Sequence, residues 1–142
     1  MTQQINEEQL LQMVRQEEAT LNDRQDFYAQ LQGAAIDLVK TTESLKEIQK
    51  KPGKIMFKIG GGVLIEAEIT NTETCKKAFS EKGYKKEKIT DTITWLNKRA
   101  TAVEEQMRKV QIEITESQQR YSQLISIMKQ VDSQIRKSIA TK

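Results

Sequence analysis

The sequence predicts a mainly α-helical chain: a long antiparallel two-helix coiled coil whose arms are joined by a single β-hairpin. Three observations predict it. Apolar residues recur in steps of four and three through both flanks of the chain. Over residues 55–69 the pattern drops instead to period two, around Gly60, Gly61 and Gly62. The single proline, Pro52, and four of the six glycines gather between the flanks, which are thereby left almost free of helix breakers. The expected organisation is one unit over residues 1–142, with a first arm over 6–50, a hairpin over 54–69, and a helical region with a second arm over 71–140.

In the first arm, Leu10, Val14, Leu21, Tyr28, Leu31, Ala35, Leu38 and Leu45 form the seam, with Glu17, Arg24 and Thr42 as polar interruptions. Ile36 and Val39 widen the stripe, as a helix packed on more than one neighbour requires. Lys50, Lys51, Pro52 and Gly53 end the arm, because basic residues complement the helix dipole and proline cannot continue the hydrogen-bond ladder.

In the hairpin, Ile55, Phe57 and Ile59 alternate with Met56 and Lys58, and Val63, Ile65, Ala67 and Ile69 alternate with Leu64, Glu66 and Glu68. Gly61 and Gly62 supply the positive backbone angles of a tight turn. An isolated two-stranded hairpin is marginal in water, and the chain offers no second hairpin by this reading. Partner strands are therefore expected from other chains, with Ile55, Phe57, Ile59, Gly61, Gly62, Val63, Leu64, Ile65 and Ile69 as the assembly surface.

Beyond it, Asn71 or Thr72 can cap a short helix through about Lys82, with Ala78 and Phe79 as its apolar residues and Gly83 as its stop. From about Lys86 a second seam follows: Ile89, Ile93, Leu96, Ala100, Val103, Met107, Val110, Ile114, Tyr121, Leu124, Met128, Val131 and Ile135, with Ser117 and Ser138 in polar places. Reversal at the hairpin lets the arms lie antiparallel over nearly their whole length.

The chain of 142 residues is 37% hydrophobic and 30% charged, with a mean hydropathy of −0.66, too polar for a compact globular core. It contains no apolar run of membrane-spanning length, and its first residues lack the basic and apolar regions of a signal peptide, so a cytoplasmic protein without membrane association is expected. With no histidine and one cysteine, Cys75, the common zinc sites and hydrolytic triads cannot be built, so no catalytic or metal site and no cofactor is expected. Cys75 reads as a small apolar residue of the short helix. The glycine run leads into Val63-Leu64-Ile65-Glu66 rather than into a helix with Lys-Ser or Lys-Thr, so it is a turn and not a phosphate loop. Net charge is +3, and Lys76, Lys77, Lys82, Lys85, Lys86 and Lys88 cluster around Gly83. Glutamates interleave with them and only Phe79 and Tyr84 are aromatic, so the cluster reads as solvated surface rather than as a nucleic-acid or membrane site.

Helix, one glycine-turned hairpin, helix, with strands that need partners, resembles the β-class subunits of prefoldin. The closest stretch, Lys58-Ile59-Gly60-Gly61-Gly62-Val63-Leu64-Ile65-Glu66, is similar to the hairpin of the second eukaryotic subunit, with Phe57 in its aromatic place. Gly60 stands where a larger aliphatic is usual, and the segment from Thr70 to Lys85 is several residues longer than in that pattern. In the family an α-class subunit would carry a second hairpin. The resemblance implies a heterohexameric, ATP-independent co-chaperone of α-class and β-class subunits. Their hairpins pair into β-barrels, and their coiled-coil tips hold unfolded clients such as nascent actin and tubulin for delivery to the cytosolic chaperonin. The other reading is a structural coiled-coil spacer or tether within another complex. Apolar residues beside the seam at the far ends separate the two: Leu11 and Met13 beside Leu10 and Val14, and Ile125 and Ile127 beside Leu124 and Met128, are the expected client-binding tips.

Overall fold

A computed structural model of the chain describes residues 6–50 and 53–140. In chain order the elements are α1 (Glu7–Lys50), β1 (Gly53–Gly60), β2 (Val63–Ile69), β3 (Thr74–Ser80), β4 (Gly83–Lys88) and α2 (Ile89–Ala140). The expected break at Lys51 and Pro52 lies outside the described residues.

The chain divides into two units. One comprises Met1–Gln32 with Glu105–Lys142. Its first helix is opened by Asn6, whose Oδ1 accepts from the Gln9 backbone N–H at 2.7 Å while Gln9 Oε1 accepts from the Asn6 N–H, a reciprocal capping box. Leu10, Val14 and Leu31 of α1 and Val110, Ile114 and Ser117 of α2 are its buried residues. Arg120 donates to Glu17 at 3.1 Å, and Arg24 pairs with Glu113. Seven residues up one helix correspond to seven down the other, so the helices run antiparallel with the heptad as their common step.

The other unit, Gly33–Glu104, holds the end of α1, the start of α2 and both sheets. Ile89 and Leu96 are buried here, as are Thr42, whose hydroxyl donates to the Leu38 carbonyl at 2.9 Å, and Thr92. β1 and β2 pair antiparallel, with Phe57 opposite Ile65 and Ile55 opposite Ala67. β3 and β4 form a second antiparallel pair, with Cys75 opposite Glu87, Lys76 opposite Lys86, Lys77 opposite Lys85 and Ala78 opposite Tyr84.

That second hairpin corrects two expectations. Among the described residues there are two hairpins, not one, and residues 74–80 are a strand rather than a short helix, with Cys75 on it. Asn71 is the reason the local signal misleads. Its Oδ1 accepts from the backbone N–H groups of Glu73 and Thr74 at 3.0 and 3.1 Å, the same bonds that would cap a helix, but here they close the turn between β2 and β3. Gly83 starts a strand instead of ending a helix, and α2 begins at Ile89, whose N–H donates to the Glu73 carbonyl at 2.9 Å.

Candidate functional site

Alternation along β1 and β2 sorts the first hairpin into two faces. Ile55, Phe57, Ile65, Ala67 and Ile69 share one, and Lys54, Met56, Lys58, Leu64, Glu66 and Glu68 the other, where Lys54 and Glu66 pair at 3.7 Å. A bulge between Lys58 and Gly60 leaves Ile59 without a cross-strand partner. Gly61 and Gly62, at φ 59° and 77°, form the turn in the left-handed region that side chains resist. The apolar face is open: Phe57 is 57% exposed and Val63 and Ile65 are each about half exposed, as are Leu64 on the opposite face and Ile59 at the bulge. Only Ile55, Ala67 and Ile69, toward the hairpin's base, are partly covered.

The second hairpin is held quite differently. Thr92, in the first turn of α2, donates to Glu87 Oε2 at 2.7 Å, and the Cys75 thiol lies 3.3 Å from the same hydroxyl, placed to donate to it. Lys77 Nζ pairs with Glu87 at 3.1 Å and sits 4.5 Å from the centre of the Trp95 ring, which Arg99 also approaches at 5.0 Å. The hydrogen bond from Thr92, and after it the Lys77 ammonium, hold the Glu87 carboxyl below its ordinary range. One face of this hairpin therefore leans on α2, while Phe79 and Tyr84 near its turn are 64% and 71% exposed.

In the early turns of α1 and the late turns of α2, the expected tip residues separate into two sets. Leu10 and Val14 are buried in the seam, and Leu124, Ile125 and Met128 are half-buried. Leu11, Met13 and Ile127 are exposed, at 38%, 42% and 45%. A shallow open groove is lined by Leu10, Ile125, Met128 and Val131 together with Glu7, Lys129 and Asp132. Further in, the seam carries a polar layer. Ser117, with no exposed surface, donates to Glu17 at 2.6 Å. That bond, with Arg120 in support against the cost of burial, holds the Glu17 carboxyl below its ordinary value.

Sequence reasoning placed the first hairpin's residues but not the cluster of Cys75, Lys77, Glu87, Thr92 and Trp95. Thr92 falls outside the heptad seam, and it is buried because β3 and β4 lie against the start of α2. The extra length of the segment from Thr70 to Lys85 was the available signal. Among the described residues no helix is long and apolar enough to cross a membrane.

The sequence matches the prefoldin subunit family over residues 14–134. No curated protein matches it. Among solved structures, the chain is similar to the cryo-EM structure of a filamentous PFD from Methanocaldococcus jannaschii, with a TM-score of 0.68 at 11% identity, covering 81% of this chain and 97% of that one. At that identity the likeness is one of fold. Two long helices around a pair of antiparallel hairpins, together with a family match that runs through both helices and both hairpins, make this chain a member of the prefoldin family.

Proposed function

We propose that the chain is a subunit of an ATP-independent holding chaperone, without enzymatic activity, that assembles through its hairpins and captures unfolded or nascent polypeptides at its helix ends. The observation that carries this reading is the open apolar face of the first hairpin. Phe57, Val63 and Ile65 are about half exposed on strands whose outer edges have no partner among the described residues. Covering the remaining surface of one such side chain is worth on the order of 1 kcal/mol, so a partner sheet that covers several supplies enough for a stable complex. Ile55, Phe57, Ile59, Gly61, Gly62, Val63, Leu64, Ile65 and Ile69 are assigned to that assembly surface. Leu10, Leu11, Met13, Val14, Leu124, Ile125, Ile127 and Met128 are assigned to the client-binding tips.

Two hairpins between the arms support an α-class reading of the chain over the β-class that its first hairpin resembles. Its partners are then single-hairpin β-class subunits in a heterohexamer that passes actin-like and tubulin-like clients to a chaperonin in the cytoplasm. The Methanocaldococcus protein is described as filamentous, so open-ended self-assembly is the second reading, and it rests on that likeness and on both hairpins residing in one chain. Sedimentation and electron microscopy of the chain, alone and mixed with a β-class subunit, separate the two. A discrete hexamer only in the mixture supports the first reading and filaments of the chain alone the second. A monodisperse monomer in both samples would refute hairpin-driven assembly.

A further inference from the structure

The two hairpins of this chain differ in what they can accept. On β3 and β4 the face turned away from Thr92 and Trp95 carries Thr74, Lys76 and Ala78 opposite Lys88, Lys86 and Tyr84. Lys76, Lys86, Lys88 and Tyr84 are all exposed. That face has no carboxylate, since Glu73 and Glu81 lie outside the strands at its two ends and Glu87 points to the other side with Lys77. Among the described residues no ion pair reaches Lys76, Lys86 or Lys88. Lys76 directly faces Lys86, a cross-strand arrangement that costs stability when nothing neutralises it. Among the described residues the sheet has two strands, and nothing pairs with the outer edges of β3 and β4.

We propose that this lysine face is a docking surface for an extended acidic strand with carboxylates at alternate positions, contributed by a partner subunit. Side chains two apart on a strand repeat every 6.6 Å or so, so carboxylates at every second position of an added strand keep step with Lys86 and Lys88 on β4. Lysines rather than arginines supply all the positive charge from residue 53 to residue 88, and the face offers one aromatic side chain. Compact ammonium groups in a straight row suit carboxylates on a strand, whereas a single-stranded nucleic acid calls for planar arginines and several stacking rings. The same row repels the second hairpin of another copy, so the partner strand must differ in chemistry from this one. The proposal deepens the assembly reading, because it rests on the hairpins being assembly surfaces and names what one of them selects.

The test uses the full chain and fluorescence anisotropy. The probes are a labelled peptide of alternating Glu and Thr, a peptide of the same composition with its glutamates in one block, an alternating Lys and Thr peptide, and single-stranded oligothymidine. The alternating Glu peptide should bind about tenfold or more tightly than the block peptide, more weakly as salt rises. Lys86→Glu should reverse the preference toward the Lys peptide, and Lys76→Gln with Lys86→Gln should weaken the Glu peptide without that reversal. Unchanged Trp95 fluorescence shows that β3 and β4 still lean on α2 in each variant. Equal binding of the block peptide, preferential binding of the oligonucleotide, or variants that bind as wild type overturn the proposal. In a separate arm, Phe57→Asp should abolish assembly and spare peptide binding. Normal assembly of Phe57→Asp would sink the assembly reading while the peptide result stands on its own.

Discussion

Ser117 and Glu17, one hundred residues apart in the chain, meet in the seam through a 2.6 Å hydrogen bond at a place where Ser117 has no exposed surface. Heptad packing would put two aliphatic side chains there. A satisfied polar pair contributes less burial but matches only one register, because any slip of a turn leaves a carboxylate facing apolar residues. Ser117→Ala should cost about 1 to 2 kcal/mol in urea unfolding, since the Glu17 carboxylate keeps only Arg120 as donor. Leucine at both positions should raise stability and broaden the interhelix distances read by spin labels. A double variant with unchanged distance distributions would remove the register role.

Acid should loosen the same layer. The Glu17 carboxyl is held below its ordinary value of 4.5, chiefly by the hydrogen bond from Ser117. A depressed carboxyl contributes stability that is fully present above its unfolded value and is lost as pH falls through the lower folded value. Thermal melts between pH 6 and about pH 3 should therefore show a decline that Glu17→Gln partly flattens. Parallel declines in wild type and variant would assign the acid sensitivity to other carboxylates, of which Glu87, held low by Thr92 and Lys77, is the first to examine.

Thr92→Val keeps the side chain's shape and removes both its donation to Glu87 and its acceptance from Cys75. The expected cost is about 1 to 2 kcal/mol, confined to the second hairpin and the first turns of α2. Two local probes read it. The sole tryptophan, Trp95, should shift its emission, and alkylation of the sole cysteine, Cys75, should accelerate. Helicity should hardly change, because the strands contribute none of it.

Replacing Leu11, Met13, Ile125 and Ile127 with Gln should leave helicity and assembly near wild type, since Leu11, Met13 and Ile127 are exposed and the seam residues Leu10 and Val14 stay in place. Suppression of aggregation of a denatured client, followed by light scattering, should fall. Weak contacts repeated over several tips multiply, so a loss of about 1 kcal/mol per buried contact becomes large in the assembly. Equal protection by the variant would favour a tether over a holding chaperone. Flexible Met and Ile side chains on helix ends suit a surface that must accept many sequences.

The helices and the first hairpin were legible in the sequence because their signals are local and periodic. Leu10, Val14, Leu31, Ile89, Leu96, Val110 and Ile114 all lie on the predicted seams and are buried, and Gly61 and Gly62 mark a turn through backbone angles that few other residues adopt. The second hairpin was not legible. Cys75 to Ser80 and Tyr84 to Lys88 are rich in lysine, have no glycine pair at the Glu81-Lys82 turn, and show no apolar alternation. Their order comes from contacts that no local pattern announces: Cys75 and Glu87 meeting Thr92, Lys77 meeting Trp95, and the Glu73 carbonyl meeting the first N–H of α2. Asn71 makes the point most simply, since its side chain offers the same two acceptor bonds to a helix start or to a turn. By itself the sequence determined where the chain must bury an apolar stripe and where it must reverse. Whether residues 74–88 became helix or hairpin, and which polar seam residues met across the coiled coil, was decided only by the tertiary structure, because lysine-rich strands gain their stability from what they lean on rather than from their own pattern.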